Sequence, residues 1–311
     1  MKYSIVFPGQ GSQSLGMLSD LRSNFSVVNE IFQEASDAIN VDLWKIINED
    51  QELLSLTENT QPVMLAAGYA TYKVLAGEVN LTPISIAGHS LGEYTALVAS
   101  GSLSFFDAAQ LVRKRAELMQ AAVPNGSGSM AAILGLDDAR VIEICLKASD
   151  KGVVEAVNFN SPGQVVIAGE KKAVAHACEL MKEAGAKRAL VLPVSVPSHC
   201  SLMKDAAKEF KSSVDNINFQ MGSEKVLHNV DADYSSNIEE IKSKLVEQLH
   251  KPVLWTSTVQ KMKSSGVEKL IEAGPGKVLA GLTRRIDKSL SGSAIIDTTS
   301  LRATIEEILN A

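Results

Sequence analysis

The stretch Pro83–Glu93, P-I-S-I-A-G-H-S-L-G-E, constrains this chain more than any other. Ile84, Ile86 and Ala87 form a short apolar run with a β-branched bias, which predicts a buried strand. Gly88-His89-Ser90-Leu91-Gly92 follows at once, and Glu93–Ser100 reads as a helix ended by Gly101. A G-x-S-x-G between a strand and a helix is the context of a nucleophile elbow, a turn so sharp that the residues flanking the serine must be small. It lifts Ser90 out of the sheet, above the free N–H groups of a helix N-terminus. The competing reading is a structural turn, and the strand before and helix after weigh against it.

The 311 residues are enough for one large α/β domain, or for a large domain carrying a small inserted one. A hydrophobic fraction of 45% with 21% charged residues is that of a globular protein. No apolar run approaches the length that crosses a bilayer. The N-terminus, Met1–Phe7, runs straight into a strand and a glycine loop, which is not the pattern of a signal peptide. Cys145, Cys178 and Cys200 are too widely spaced for a disulfide framework or a metal knuckle, so a reduced, cytoplasmic setting is expected. A net charge of −6 argues against general nucleic-acid binding.

In chain order, Tyr3–Phe7 is a strand followed by Pro8-Gly9-Gln10-Gly11-Ser12-Gln13. Its glycines do not fit G-x-G-x-x-G, so a dinucleotide fingerprint is disfavoured. The loop either brings backbone N–H groups to a ligand or is a tight connection. Phe25–Asn48 and Thr60–Ala76 carry helical spacing, with Gln61-Pro62 at the start of the second. Ser104 with Asp107 predicts a capped helix over Phe105–Val123. Val112, Ala116, Met119 and Val123 form its apolar stripe, and Arg115 lies on the edge of that stripe. An arginine so placed needs an anion. Two partners are open: a structural carboxylate such as Glu93, or a substrate carboxylate held by the guanidinium fork. After the flexible boundary Pro124–Ser129 the order strand, helix, strand, strand, helix, strand over 130–194 predicts a ferredoxin-like unit. The larger domain then resumes, with a strand over Val226–Val230, a helix over Ile238–His250 and a strand over Val267–Glu272. Gly274-Pro275-Gly276-Lys277 lacks the spacing of a Walker A loop and reads as a glycine turn.

A serine nucleophile needs a base, and there are five histidines to choose from. His89 adjoins the serine in a tight turn, where neighbours point apart. His176 falls in a helix, His228 in a strand and His250 at a helix C-terminus. His199, in a loop after a strand and at the inferred domain boundary, is best placed. A hydrolase with the order Ser…Asp/Glu…His should show an acid between the two. That interval is mostly the small unit, and none of its aspartates stands at a strand end of the main sheet. A dyad whose histidine is oriented by a backbone carbonyl or an amide side chain fits better.

Taken together, F-P-G-Q-G-S-Q at Phe7–Gln13, G-H-S-L-G-E-Y at Gly88–Tyr94, Arg115 with Met119-Gln120, N-F-N-S-P-G-Q at Asn158–Gln164, V-P-S-H at Val196–His199 and G-P-G-K at Gly274–Lys277 resemble the malonyl-CoA:acyl carrier protein transacylases, in order and over nearly the whole chain. The resemblance implies an α/β-hydrolase-like large domain, 1–124 and 196–311, with a ferredoxin-like small domain at 125–195. It implies an acyltransferase in which Ser90 takes the malonyl group from malonyl-CoA and passes it to the thiol of acyl carrier protein, serving fatty acid synthesis. His199 would be the base and the main-chain oxygen of Gln248 its orienting partner. The N–H groups of Gln10 and Leu91 would form the oxyanion hole, and Arg115 would hold the malonyl carboxylate. Neither metal nor cofactor is implied, CoA thioester being a substrate, and a monomer is expected. Acyl carrier proteins are acidic, which points to Lys187-Arg188 or Arg284-Arg285 with Lys288 as a docking surface. Ser198, before the histidine, stands where malonyl-specific relatives often carry phenylalanine, so weaker exclusion of methylmalonyl is expected. A polyketide acyltransferase acting in trans and a serine esterase or thioesterase are the alternatives.

Overall fold

The computed structural model describes residues 1–194 and 196–310. Among the described residues nine strands form two sheets: β1 (Tyr3–Phe7), β2 (Ile86–Gly88), β3 (Gly128–Leu134), β4 (Val154–Ser161), β5 (Gln164–Glu170), β6 (Arg188–Val191), β7 (Val226–Leu227), β8 (Lys269–Ala273) and β9 (Ser291–Ile295). The first sheet has the order β7-β2-β1-β8-β9, and every neighbouring pair in it is parallel. β1, β2 and β8 are buried along their whole length, as a parallel sheet covered on both faces requires, and they are apolar except for Ser4 in β1 and Lys269 and Glu272 in β8. One oxygen of Glu272 accepts from the Ala280 amide at 2.8 Å, capping the helix Val278–Ile286, and burial raises its pKa to about 7. In chain order the strands lie 3-2-1-4-5, which places loops for a ligand beyond the carboxyl ends of the central strands.

The second sheet, β4-β5-β3-β6, is antiparallel throughout. Helices Asp138–Ala148 and Lys171–Glu183 cover one face, packing Val141, Ile144, Ala177 and Met181 on Ile133, Val165 and Ile167. On the other face Met130, Val157, Val166 and Ala168 cluster with Cys200. That face looks toward the carboxyl ends of the parallel strands.

Three expected elements differ. The helical spacing of Phe25–Asn48 is divided between Ser26–Ile39 and Leu43–Glu49. Asn40 adopts a left-handed conformation with φ 53°, closing the first helix, and the Asp42 side chain accepts from Lys45 to open the second. The next helix runs Thr57–Glu78, so Pro62 sits in its second turn rather than its first. The Glu58 carbonyl that Pro62 cannot serve accepts instead from Arg113 Nη1 at 3.1 Å. Finally, β7 ends at Leu227, so His228 lies just past the strand rather than within it.

Candidate active site

The elbow is built as its glycines demand. A Cβ on Gly88 would fall 1.8 Å from the Gly92 carbonyl carbon, and one on Gly92 would fall 2.2 Å from the Phe7 oxygen. β2 and the helix Gly92–Ala99 can meet at this angle, beside the end of β1, only without side chains there. Ser90 pays in backbone strain, with φ 51°. Asn229, just beyond β7, spans the turn: its Oδ1 accepts from the Ser90 amide at 2.6 Å, and its Nδ2 donates to the Gly88 carbonyl at 2.7 Å.

Ser90 Oγ lies 2.8 Å from His199 Nε2 and accepts from Arg115 Nη2 at 3.3 Å. His199 Nδ1 is 2.7 Å from the main-chain oxygen of Gln248. A carbonyl can only accept, so Nδ1 carries the ring proton and Nε2 is left to accept from the serine hydroxyl. His199 also has a left-handed backbone, φ 66°, and its amide donates to the Leu249 carbonyl at 3.0 Å. Burial, followed by the charge of Arg115, lowers the imidazole pKa to about 3. No carboxylate among the described residues pairs with this histidine.

Arg115 is 1% exposed. Of the two partners left open by the sequence, the structural ion pair with Glu93 is not formed, and no carboxylate among the described residues makes a salt bridge with this guanidinium. Its donors meet neutral amide oxygens, Gln61 Oε1 at 2.8 Å and Gln248 Oε1 at 2.9 Å, and Nε has no partner. Tyr94 lies beneath, 5.5 Å from ring centroid to guanidinium carbon. Burial pulls the arginine pKa down, opposed by Tyr94 and Glu93. Glu93, itself fully buried, accepts from His228 Nδ1 at 2.8 Å, the Asn229 amide at 2.9 Å and Gln248 Nε2 at 2.8 Å. Gln248 thus works twice, its main chain on His199 and its side chain on Arg115, Glu93 and the Ser90 carbonyl, the last at 2.9 Å.

Gln10 and Leu91 line the same narrow cleft, of about 110 Å³, as Ser90, His199, Arg115 and Ser198. Neither of their backbone amides donates a hydrogen bond among the described residues. Met119 of the helix Phe105–Ala121, and Met130 and Leu192 from the side of the antiparallel sheet, supply apolar walls. His89 turns away, its Nε2 2.8 Å from Asn160 Oδ1 and its ring against Trp255. His176 lies at the surface beside Glu179, and His250 just past the helix Ile238–Gln248. No cluster of three or more metal-ligating side chains occurs among the described residues, and no helix is long and apolar enough to cross a membrane. The arrangement can activate a serine through a neutral imidazole and present a buried cation within reach of the acyl group. Gln61, Glu93 and Asn229 complete it; the sequence reading placed Glu93 here, as one possible partner for Arg115, and named Gln61 only at a helix start. A signal for Asn229 was its place at the carboxyl end of a parallel strand. For Gln61 the available signal is a polar residue just ahead of the apolar run Val63–Ala67.

Comparison with known proteins gives the family. Residues 4–299 match the acyl transferase domain family. A malonyl CoA-acyl carrier protein transacylase from Haemophilus influenzae is 52% identical over 310 residues, 99% of each chain. An acyl carrier protein S-malonyltransferase structure from Vibrio cholerae superposes with a TM-score of 0.95 at 51% identity, covering 98% of this chain and 100% of that one. A malonyl-transacylase solved in complex with its type II PKS acyl-carrier protein gives a TM-score of 0.97 at 48% identity, over 99% and 100% of the two chains. With a nucleophile elbow, its histidine and a buried arginine on one cleft, and such likeness over its full length, the chain belongs to the malonyl CoA-acyl carrier protein transacylase family.

Proposed function

We propose that this acyltransferase moves a malonyl group from malonyl-CoA to the phosphopantetheine thiol of acyl carrier protein through a malonyl ester on Ser90, supplying fatty acid elongation. The observation that carries the reading is Arg115, a buried cation without a carboxylate, which donates to the serine that would bear the acyl group. His199 takes the Ser90 proton as Oγ attacks the thioester and returns it to the departing CoA thiolate. The Gln248 carbonyl keeps the ring in the tautomer this requires. The tetrahedral oxyanion would be received by the amides of Gln10 and Leu91, and the malonyl carboxylate by Arg115. The carrier protein's thiol then attacks the ester with His199 as base again. Neither metal nor cofactor enters this scheme. Lys187, Arg188, Arg284, Arg285 and Lys288 are exposed and would offer an acidic carrier protein its docking surface. In architecture, the reading is an α/β-hydrolase-like domain, 1–124 and 196–311, interrupted by a ferredoxin-like domain at 125–195, acting as a cytoplasmic monomer. Residues 195 and 311 lie outside the described residues. The likeness to a complex with a PKS acyl-carrier protein favours a second reading, in which the acceptor belongs to polyketide synthesis. The test is intact-protein mass spectrometry after mixing with malonyl-CoA. A malonyl adduct mapped to the Ser90 peptide is expected, and no adduct, or one elsewhere, rejects the reading.

The depressed pKa of His199 gives the reaction a particular pH dependence. Loss of activity on acidification follows protonation of the base, so a folded pKa of about 3 rather than 6.5 moves that loss to lower pH. In the initial rate of Ser90 acylation, kcat/KM is expected to stay level through pH 6.5 and to fall well below it. A midpoint at 6.5 would contradict a buried, cation-facing imidazole. Stability, unlike activity, already declines on acidification through the upper part of this window. The unfolded histidine binds its proton near 6.5 and the folded one only near 3, so folding weakens as pH falls below 6.5. His89, whose pKa burial also lowers, acts in the same direction.

A further inference from the structure

Strand β4 touches the residues beside Ser90 and beside His199, through two irregularities in its pairing with β5. The register runs regularly from Val154↔Gly169 to Ala156↔Ile167, skips Val157, resumes at Asn158↔Val166 and skips Asn160 before Ser161↔Gln164. Val154, Ala156 and Phe159 pack into the core under the two helices. Strict alternation from Val154 and Ala156 would turn Phe159 to the opposite face. The bulge instead leaves Val157 and Asn158 together on that face, with Glu155 before them and Asn160 after. There Asn160 meets His89, the residue before the nucleophile, and Val157 clusters with Cys200, the residue after the base. The backbone locks the strand in place: Val253 N donates to the Val157 carbonyl at 2.8 Å, and Phe159 N to the Val253 carbonyl at 3.0 Å.

Glu155 completes the contact. Its Oε2 accepts from the Ser201 amide at 3.1 Å and its Oε1 from the Ser201 hydroxyl. Ser201 opens the 3-10 turn Ser201–Met203, which runs into the helix Lys204–Asp215. Its amide is one of the free donors of a helical N-terminus. The capping position there is Cys200, which makes no side-chain cap. A cysteine is a poor acceptor where serine, threonine, aspartate or asparagine normally serves. The missing cap comes instead from a carboxylate on the other sheet, two residues from a histidine held at φ 66°.

We propose that Glu155 is a positioning residue for His199, holding the base against Ser90 by capping the turn that follows it. The inference rests on the reading of His199 as the base. It is tested by rapid-quench measurement of Ser90 acylation by malonyl-CoA, together with hydrogen exchange over 199–203. Glu155→Ala is expected to slow acylation by about tenfold or more, one charge-assisted contact being worth that much. The half-saturating malonyl-CoA concentration should stay within about twofold, since Glu155 does not line the cleft. Exchange over 199–203 should rise. Glu155→Gln keeps an oxygen for the Ser201 amide and an N–H for the Ser201 hydroxyl, and should recover most of the rate and the protection. A wild-type rate in Glu155→Ala, an equal loss in both variants, or a loss confined to half-saturation would overturn the proposal. Should Glu155→Ala fail to fold, Ser201→Ala decides, since it deletes only the hydroxyl half of the contact. A fall of about threefold or more then upholds the proposal and an unchanged rate overturns it. Wild-type protein that forms no Ser90 adduct would reject the functional reading instead, while the exchange comparison would still decide whether Glu155 holds the turn.

Discussion

Arg115→Ala is expected to lower malonyl transfer by about tenfold to a hundredfold or more beyond its effect on acetyl transfer. Holding a cation at 1% exposure without a carboxylate is unfavourable by several kcal/mol. Here it is offset only by two amide oxygens, a serine hydroxyl and the face of Tyr94, and Nε stays unpaired. A carboxylate arriving with the substrate would supply the missing charge. An acetyl group brings none, which is why the ratio of the two substrates is the informative quantity. Arg115 also touches Ser90 Oγ, holds the Gln248 side chain and depresses the His199 pKa. Its removal therefore impairs both substrates to some common extent, and the excess loss for malonyl isolates the clamp. Arg115→Lys keeps the charge without the planar fork and should fall between. The measurement is kcat/KM for malonyl-CoA and acetyl-CoA with each variant, and equal losses for both would sink the clamp.

The parts of this molecule that were legible in the sequence are those where local chemistry admits few alternatives. Gly88 and Gly92 announce a turn in which a Cβ would collide with backbone, and the apolar run of Ile84, Ile86 and Ala87 before them announces the buried strand β2. Ser90 and His199, singled out from distant parts of the chain, lie 2.8 Å apart. What stayed hidden depends on partners brought from elsewhere. Asn40 ends a helix by taking a left-handed conformation that the hydrophobic spacing does not signal. Pro62 is tolerated in a second turn because Arg113, on another helix, serves the carbonyl it leaves free. Arg115 looked in need of a carboxylate, and Glu93 was near in sequence to the elbow. In the fold Glu93 is already engaged by three donors from the segments after β7 and at residue 248. Glu155 gave no signal, because only the bulge in β4 places it at the turn after His199.

Glu93→Ala is expected to destabilise the protein by about 3 kcal/mol or more, since it strands His228 Nδ1 and the Asn229 amide in a dry interior. Both lose their acceptor, whereas Gln248 Nε2 keeps the Ser90 carbonyl. For a chain of this size that corresponds to a fall in Tm of roughly 5 °C. Glu93→Gln separates hydrogen bonding from simple removal of a side chain. The amide oxygen can face Asn229 N and Gln248 Nε2, and the amide nitrogen can donate to His228 Nδ1 if that ring carries its proton on Nε2. A tautomer change in one histidine thus restores every contact, and most of the stability should return. The loss in Glu93→Ala should also reach the reaction. Glu93 ties the elbow helix to Asn229, which holds the Ser90 amide, and to Gln248, which holds His199 and Arg115. A fall in kcat should therefore accompany the fall in Tm for alanine, and glutamine should recover both. A Glu93→Ala protein melting within about 2 °C of the wild type would show that water or repacking replaces the carboxylate, and that the site does not depend on it.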